Sequence, residues 1–310
     1  MKSCFFMKSC VNRQLILPRF HRRAVICRAN RGAILRDTAK WYGWTIVYNI
    51  YNKNSLETFD VGFVTASQLV FSTIATFSGK NNISSIKLSP DYVRYFAMIV
   101  ILSIGQFFGN HFGNLATRLM SISSVNIVKA SEPILTMSVM FILFRQKQKV
   151  FKIFLVFPII AGICLCNMND MTYNHYGGSM CIVSNLFHIF KIIVSKKYFV
   201  EVLGYHGEAL YILSNLGSFV ISMPFILCNR VEADYHAWLN LIISCFGYYY
   251  NSITAFDLIT KVNPVTFSML NIYKRVAITG ICYIIAMKIP GMATIVGITI
   301  SNVALYFYMR

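Results

Sequence analysis

The sequence predicts an all-α polytopic membrane protein of about ten transmembrane helices, built as two inverted five-helix repeats. Three observations lead there. Charged residues make up 13% of the 310-residue chain and hydrophobic residues 56%, whereas an ordinary soluble domain has about a quarter of its residues charged. The apolar residues gather in repeated runs of about 20, the length that crosses a bilayer as a helix. The Lys and Arg of the connections fall mainly on one set of alternate loops, the asymmetry that orients membrane proteins. This composition excludes a soluble globular enzyme and a disordered chain. Runs that are apolar on nearly every side, with no alternation, also argue against a transmembrane β-barrel.

Residues 1–40 read as a basic tail, with ten of the 29 Lys and Arg and one acid, Asp37. An Arg-rich, acid-poor stretch has the composition of a transit peptide, and equally that of a tail held on the positive side of a membrane. The transporter-length domain is 41–310. Its helices are expected over about 41–55, 62–79, 92–116, 121–144, 150–167, 177–197, 208–228, 236–259, 264–287 and 290–309. The first two are polar enough to escape a hydropathy window, which leaves eight as the lower bound. Breakers punctuate the joints: Ser89-Pro90-Asp91, the polar stretch Asn167 to Asn174, and Asn263-Pro264. Segment three carries Gly105, Gly109 and Gly113, a spacing that lets helices approach closely and, in a carrier, slide.

An even helix count puts both termini on one side. That side then holds Lys80, Lys87, Arg94, Arg145, Lys147, Lys149, Lys152, Lys196, Lys197, Lys261 and Arg310, against Lys53, Arg118, Arg230 and Lys288 on the other. Two halves of five helices, an odd number, are necessarily inverted relative to each other. Short similarities recur at matching places, such as Val125-Asn126 in segment four and Val262-Asn263 at segment nine.

Several chemistries find no support. The net charge of +18 is divided evenly between the tail and the rest of the chain, so no basic module suggests nucleic acid. Six cysteines (Cys164, Cys166, Cys181, Cys228, Cys245, Cys282) sit in apolar segments as small hydrophobes. No CxxC occurs and the histidines are scattered, so neither a metal, a disulfide framework nor a cofactor is expected. The sequon at Asn82 falls on the basic side and is expected to be unmodified.

Four bases remain once the loops are assigned: Lys129, Lys191, Lys274 and Arg275. Only one acid, Glu132, is comparably placed, three residues from Lys129 and so on nearly the same helix face. A base at mid-helix costs about 2.5–3.5 kcal/mol on insertion scales, so such residues normally face an aqueous cavity or a substrate path. Four bases and one acid leave +3, which suits an anion of about −2 such as a phosphate monoester. Arg275 can grip two phosphate oxygens in a fork and the lysines act as point charges. These bases come from segments four, six and nine, hence from both halves, as in the midplane site of an inverted-repeat transporter.

These segments resemble the plastid phosphate translocator family of the drug/metabolite transporter superfamily. Lys129-Ala130-Ser131-Glu132-Pro133 is similar to its fourth helix, Lys191 followed by Ser195-Lys196-Lys197 to its sixth, and Pro264-Val265-Thr266, Asn271 and Lys274-Arg275-Val276 to its ninth. Asn49-Ile50-Tyr51-Asn52-Lys53 is similar to its first. The resemblance covers about 41–310. It implies a ten-helix antiporter, not an enzyme, that exchanges inorganic phosphate for phosphorylated three-carbon metabolites, namely phosphoenolpyruvate, triose phosphate and 3-phosphoglycerate. It assigns phosphate binding to Lys129, Lys191, Lys274 and Arg275.

The chain departs from that pattern around the carbon skeleton. The sixth-helix base, usually Arg, is Lys191. The third-helix His of triose-phosphate members corresponds to Asn110, a position where phosphoenolpyruvate members look more like Asn. The Thr three residues on is Gly113. An eighth-helix Tyr falls at Asn251, beside Tyr250. Asn110, Gly113, Tyr250 and Asn251 are thus the candidates for the rest of the pocket. The resemblance implies a plastid-type envelope. A composition rich in Ile, Asn, Tyr and Lys and poor in Ala is compatible with a relict plastid, an apicoplast. The alternative is a nucleotide-sugar transporter of the Golgi or endoplasmic reticulum, which shares the fold and needs a base and ribose pocket.

Overall fold

Eleven helices make up the computed structural model, which describes residues 31–78, 92–146, 150–167, 174–227, 233–285 and 291–309; among these residues every regular element is helical. In chain order they are α1 (Arg31–Thr58), α2 (Val61–Ser78), α3 (Tyr92–Leu119), α4 (Ile122–Lys129), α5 (Glu132–Phe144), α6 (Val150–Asn167), α7 (His175–Val194), α8 (Gly207–Leu227), α9 (Tyr235–Lys261), α10 (Pro264–Ile285) and α11 (Met292–Met309). The part of the basic tail before Arg31, the sequon at Asn82, and the loop bases Lys80, Lys87, Lys147, Lys149, Arg230, Lys288 and Arg310 lie outside the described residues.

Four stretches, Tyr92–Leu119, Ile122–Phe144, His175–Val200 and Gly207–Ile226, are long and apolar enough to cross a bilayer, and Val61–Phe77, Ile153–Asn167 and Met292–Tyr308 are shorter apolar helices. The chain is therefore an all-α, largely membrane-spanning protein. Its outer surface matches that solvent: Val93, Phe96, Phe154, Val220 and Phe157 are all exposed, which is stable against lipid and costly in water.

Two elements differ from the sequence expectation. α1 begins at Arg31, inside the stretch read as tail. Residues 33–36 (Ala-Ile-Leu-Arg) favour helix, the Thr38 hydroxyl bonds back to the Ile34 carbonyl, and Asp37 meets Lys261 Nζ at 2.6 Å, tying the start of α1 to the end of α9. Segment four is broken: α4 ends at Lys129 and α5 begins at Glu132. Proline has no N–H to donate to the carbonyl four residues back and its ring clashes with it, so Pro133 ends helical bonding at Lys129.

Polar positions explain why α1 looked marginal. Thr45 donates to Asn251, while Tyr48 and Asn52 both donate to Asn114, so its polar residues face other helices. α1 runs along α9, α3 along α7, α2 along α8 and α6 along α11, with α5 against α10. The glycines of α3 set its contact with α7. A Cβ at Gly105 would lie 3.1 Å from Lys191 Cβ, one at Gly109 2.9 Å from the His188 ring, and one at Gly113 3.1 Å from Ser184 Oγ. Close approach is thus what the stripe provides. Ser184 Oγ uses it to donate to the Gly109 carbonyl at 2.6 Å.

At the end of the bundle where α1 begins and α9 ends, Trp41, Tyr42, Tyr198, Phe199, Phe256 and Phe267 form a buried aromatic cluster. α7 continues there as a π-helical turn, Ser195–Val200, and Lys196 in that turn donates to the Thr260 carbonyl at 2.7 Å. Gly204 then reverses the chain at φ 71°, a conformation that favours glycine.

Candidate functional site: a cationic cavity

The break between α4 and α5 places charges at two helix ends that suit them. Lys129 is the last residue of α4, where carbonyls carry partial negative charge, and Glu132 opens α5, where free N–H groups carry partial positive charge. Sequence spacing suggested that Glu132 would share a face with Lys129. Both do line one cavity, and where the helix breaks at Ala130 and Ser131 the carboxylate finds its hydrogen bonds on α10. Asn271 Nδ2 donates to both its oxygens at 2.9 and 2.7 Å, and Arg275 Nη2 stands 3.8 Å from Oε2. Arg275 Nη1 also donates to Asn126 Oδ1 at 2.9 Å. The Asn126 amide and the Glu132 carboxylate thus hold the guanidinium, and Asn271 holds the carboxylate.

This assembly lines a central cavity of about 200 Å³ between α1, α3, α4, α5, α7, α9 and α10. Lys129, Lys191, Lys274 and Arg275 all face it, and Glu132 is the sole acid among its described lining residues. Lys274 Nζ sits 4.0 Å above the Trp41 ring, a cation–π contact. Lys191 Nζ donates to Gln106 Oε1 at 2.8 Å and lies 5.5 Å from the Phe256 ring centre. Lys129 Nζ lies beside Gly113, 3.6 Å from where a Cβ would be. At an effective dielectric of 20, unit charges about 4 Å apart interact by about 4 kcal/mol. A single carboxylate cannot offset four bases, so the site carries a formal surplus of three positive charges.

The remaining candidates divide. Asn110 lines the cavity and donates to the Tyr248 hydroxyl, which also accepts from Gln106, each at 2.5 Å. Gly113 and Asn251 line it as well. Tyr250 does not. Its ring stacks on Trp44 at 4.5 Å on the outer face, and Tyr248, two residues earlier, lines the cavity together with Tyr48 of α1. Sequence reasoning missed Asn126, His188 and Asn271 as wall residues. A signal was present: each precedes an intramembrane base by three residues (Lys129, Lys191, Lys274) and so shares its helix face. Among the described residues no cluster of His, Cys, Asp or Glu is spaced to hold a metal ion.

Helices crossing a membrane around a central, cation-lined cavity define a membrane transporter of an anionic solute. The match to known proteins makes this specific: residues 34–309 match the Triose-phosphate Transporter family, and the chain belongs to that family. It is accordingly a transporter and not an enzyme. Phosphoenolpyruvate/phosphate translocator 3, chloroplastic, of Oryza sativa subsp. japonica is 26% identical over 90% of this chain and 77% of its own length. Putative transporter C83.11 of Schizosaccharomyces pombe is 25% identical over 73% of this chain and 53% of its own. A solved crystal structure superposes with a TM-score of 0.67 at 12% identity, covering 87% of this chain and 95% of that one, a likeness of fold alone. The chain is thus an integral membrane protein related to plastid translocators.

Proposed function

We propose that this protein is an antiporter that exchanges inorganic phosphate for phosphorylated three-carbon metabolites (phosphoenolpyruvate, triose phosphate and 3-phosphoglycerate) across a plastid-type organelle membrane. The observation that carries the reading is the cavity in which Lys129, Lys191, Lys274 and Arg275 face one carboxylate, Glu132. A phosphate monoester brings a charge of about −1.5 to −2 and three strong acceptor oxygens to those donors. The Arg275 guanidinium offers the planar fork that matches phosphate geometry. Exchange follows from the same surplus. Closing both ends of an empty cavity desolvates unpaired cations at several kcal/mol each, so the closed state is reached when loaded and is rare when empty.

Ten spans in two inverted halves fit the helix pairings, with α4 and α5 together taken as segment four. Advancing every segment by five turns the pair one–eight into six–three, and leaves two–seven, four–nine and five–ten as they are. Each of these is an observed contact. Selectivity belongs to the wall that α3 contributes. Asn110 and Gly113 leave it less tailored to a triose hydroxyl, and the rice relative is named a phosphoenolpyruvate/phosphate translocator. Phosphoenolpyruvate is therefore expected to compete at least as well as triose phosphates for labelled phosphate uptake into proteoliposomes preloaded with phosphate. Uptake that phosphoenolpyruvate fails to inhibit would refute this selectivity, and inhibition by nucleotide sugars alone would refute the antiporter reading.

A further inference from the structure

His188 is the one imidazole on the described cavity wall, and neither the charge surplus nor the phosphate-binding set uses it. Its position follows from α3. Three successive turns of that helix, each about 6 Å on from the last, present a glycine to α7. Gly113 lies beside Lys129 Nζ, Gly109 meets the His188 ring and Gly105 meets the Lys191 stem. The imidazole therefore stands between the level of Lys129 and the level of Lys191, and the missing side chain at Gly109 is what gives it room. Its ring nitrogens make no hydrogen bond to another described residue; the Nδ1–Cε1–Nε2 edge rests on the bare Gly109, and the ring lines the cavity.

We propose that His188 is a specificity-determining residue. It donates an N–H to a carboxylate or carbonyl oxygen at the end of the cargo remote from its phosphate. This rests on the antiporter reading above and extends it to the carbon skeleton. In this arrangement three of the four bases, Lys129, Lys274 and Arg275, hold the phosphate and Lys191 is left to the far end of the cargo, so a short carbon chain directed along α3 toward Lys191 passes the ring within a single helical turn. Imidazole carries at least one N–H in either protonation state, so the ring can always donate to an acceptor oxygen there. Inorganic phosphate has no remote end, and its exchange against itself does not depend on that bond to the same degree.

The test compares His188→Phe, which keeps a ring without a donor, His188→Ala, and His188→Gln, which keeps an N–H. Proteoliposomes are loaded with phosphate or with phosphoenolpyruvate, and uptake of labelled phosphate gives homo-exchange and hetero-exchange for each. A hydrogen bond to a charged group corresponds to about tenfold or more in affinity. The ratio of hetero- to homo-exchange should thus fall about tenfold in the Phe and Ala variants and stay within about threefold of wild type in the Gln variant. Homo- and hetero-exchange falling together in all three would mark a structural role and overturn the assignment, as would an unchanged ratio. Wild-type vesicles that exchange no phosphate would instead overturn the antiporter reading and this assignment with it.

Discussion

Arg275 and Lys274 differ in how they are held, and the two should respond differently to substitution. Arg275 is fixed by Asn126 and faces Glu132, whereas Lys274 rests on the Trp41 ring. Alanine at either position removes a charged hydrogen-bond donor worth about 1.5–3 kcal/mol, so phosphate exchange should drop by at least tenfold in each single variant and vanish in the double. Full exchange by the double variant would sink the charge-compensation mechanism. Glu132 makes the complementary case. Removing one partner of a buried pair costs about 3–5 kcal/mol because the other charge is left unpaired. Glu132→Gln should therefore melt earlier in detergent, and millimolar phosphate should raise its melting temperature more than that of wild type by supplying the lost negative charge. Equal stabilisation of the two proteins by phosphate would count against a shared electrostatic site.

The helices show how far the sequence could be read. The four intramembrane bases stood out because a lysine among isoleucines has no other account, and all four reach one cavity. The helix break at Pro133 was legible, but the α10 partners of Glu132, Asn271 and Arg275, come from packing and not from spacing along one helix. Tyr250 illustrates a different limit. Three consecutive tyrosines on α9 point to three directions, and only the packing of α1 decides that residue 248 faces inward while residue 250 stacks on Trp44. Asn126, His188 and Asn271 are ordinary residue types whose meaning comes from the base three positions later. The α3–α7 contact carries its own prediction. A Cβ at Gly105 would stand 3.1 Å from both Lys191 Cβ and the Phe187 carbonyl oxygen; the latter is backbone and gives way only if α7 moves. Gly105→Ala should cost about 1–3 kcal/mol, as overpacked cores do, read as a lowered thermal midpoint with reduced exchange. An unshifted midpoint would show that the two helices are looser than drawn.

At the scale of the molecule, the helix pairings and the loop charges make the same demand on the termini. If ten segments cross, a tag on each end faces one compartment, and both should be equally open or equally closed to protease in sealed vesicles. Opposite accessibility would remove the ten-span arrangement and its inverted halves. The matching functional expectation is that vesicles without internal phosphate or phosphorylated metabolite take up phosphate far more slowly than loaded ones; fast uptake into empty vesicles would mean the closed state does not need cargo. The glycine stripe of α3 also limits how the machine can move. Each glycine is a notch cut for one side chain of α7, and the residues between the notches include Phe108 and Phe112, which stack on Phe187. Sliding α7 by one residue, about 1.5 Å, would carry its side chains off the notches and against the α3 backbone between them. The stripe is therefore a lock on register, which predicts that α3 and α7 move together as one lever. Spin labels at the exposed Val93 and Val202, near the start of α3 and just beyond the end of α7, should keep a single distance distribution with and without phosphate, and a second population on loading would show the lever bending.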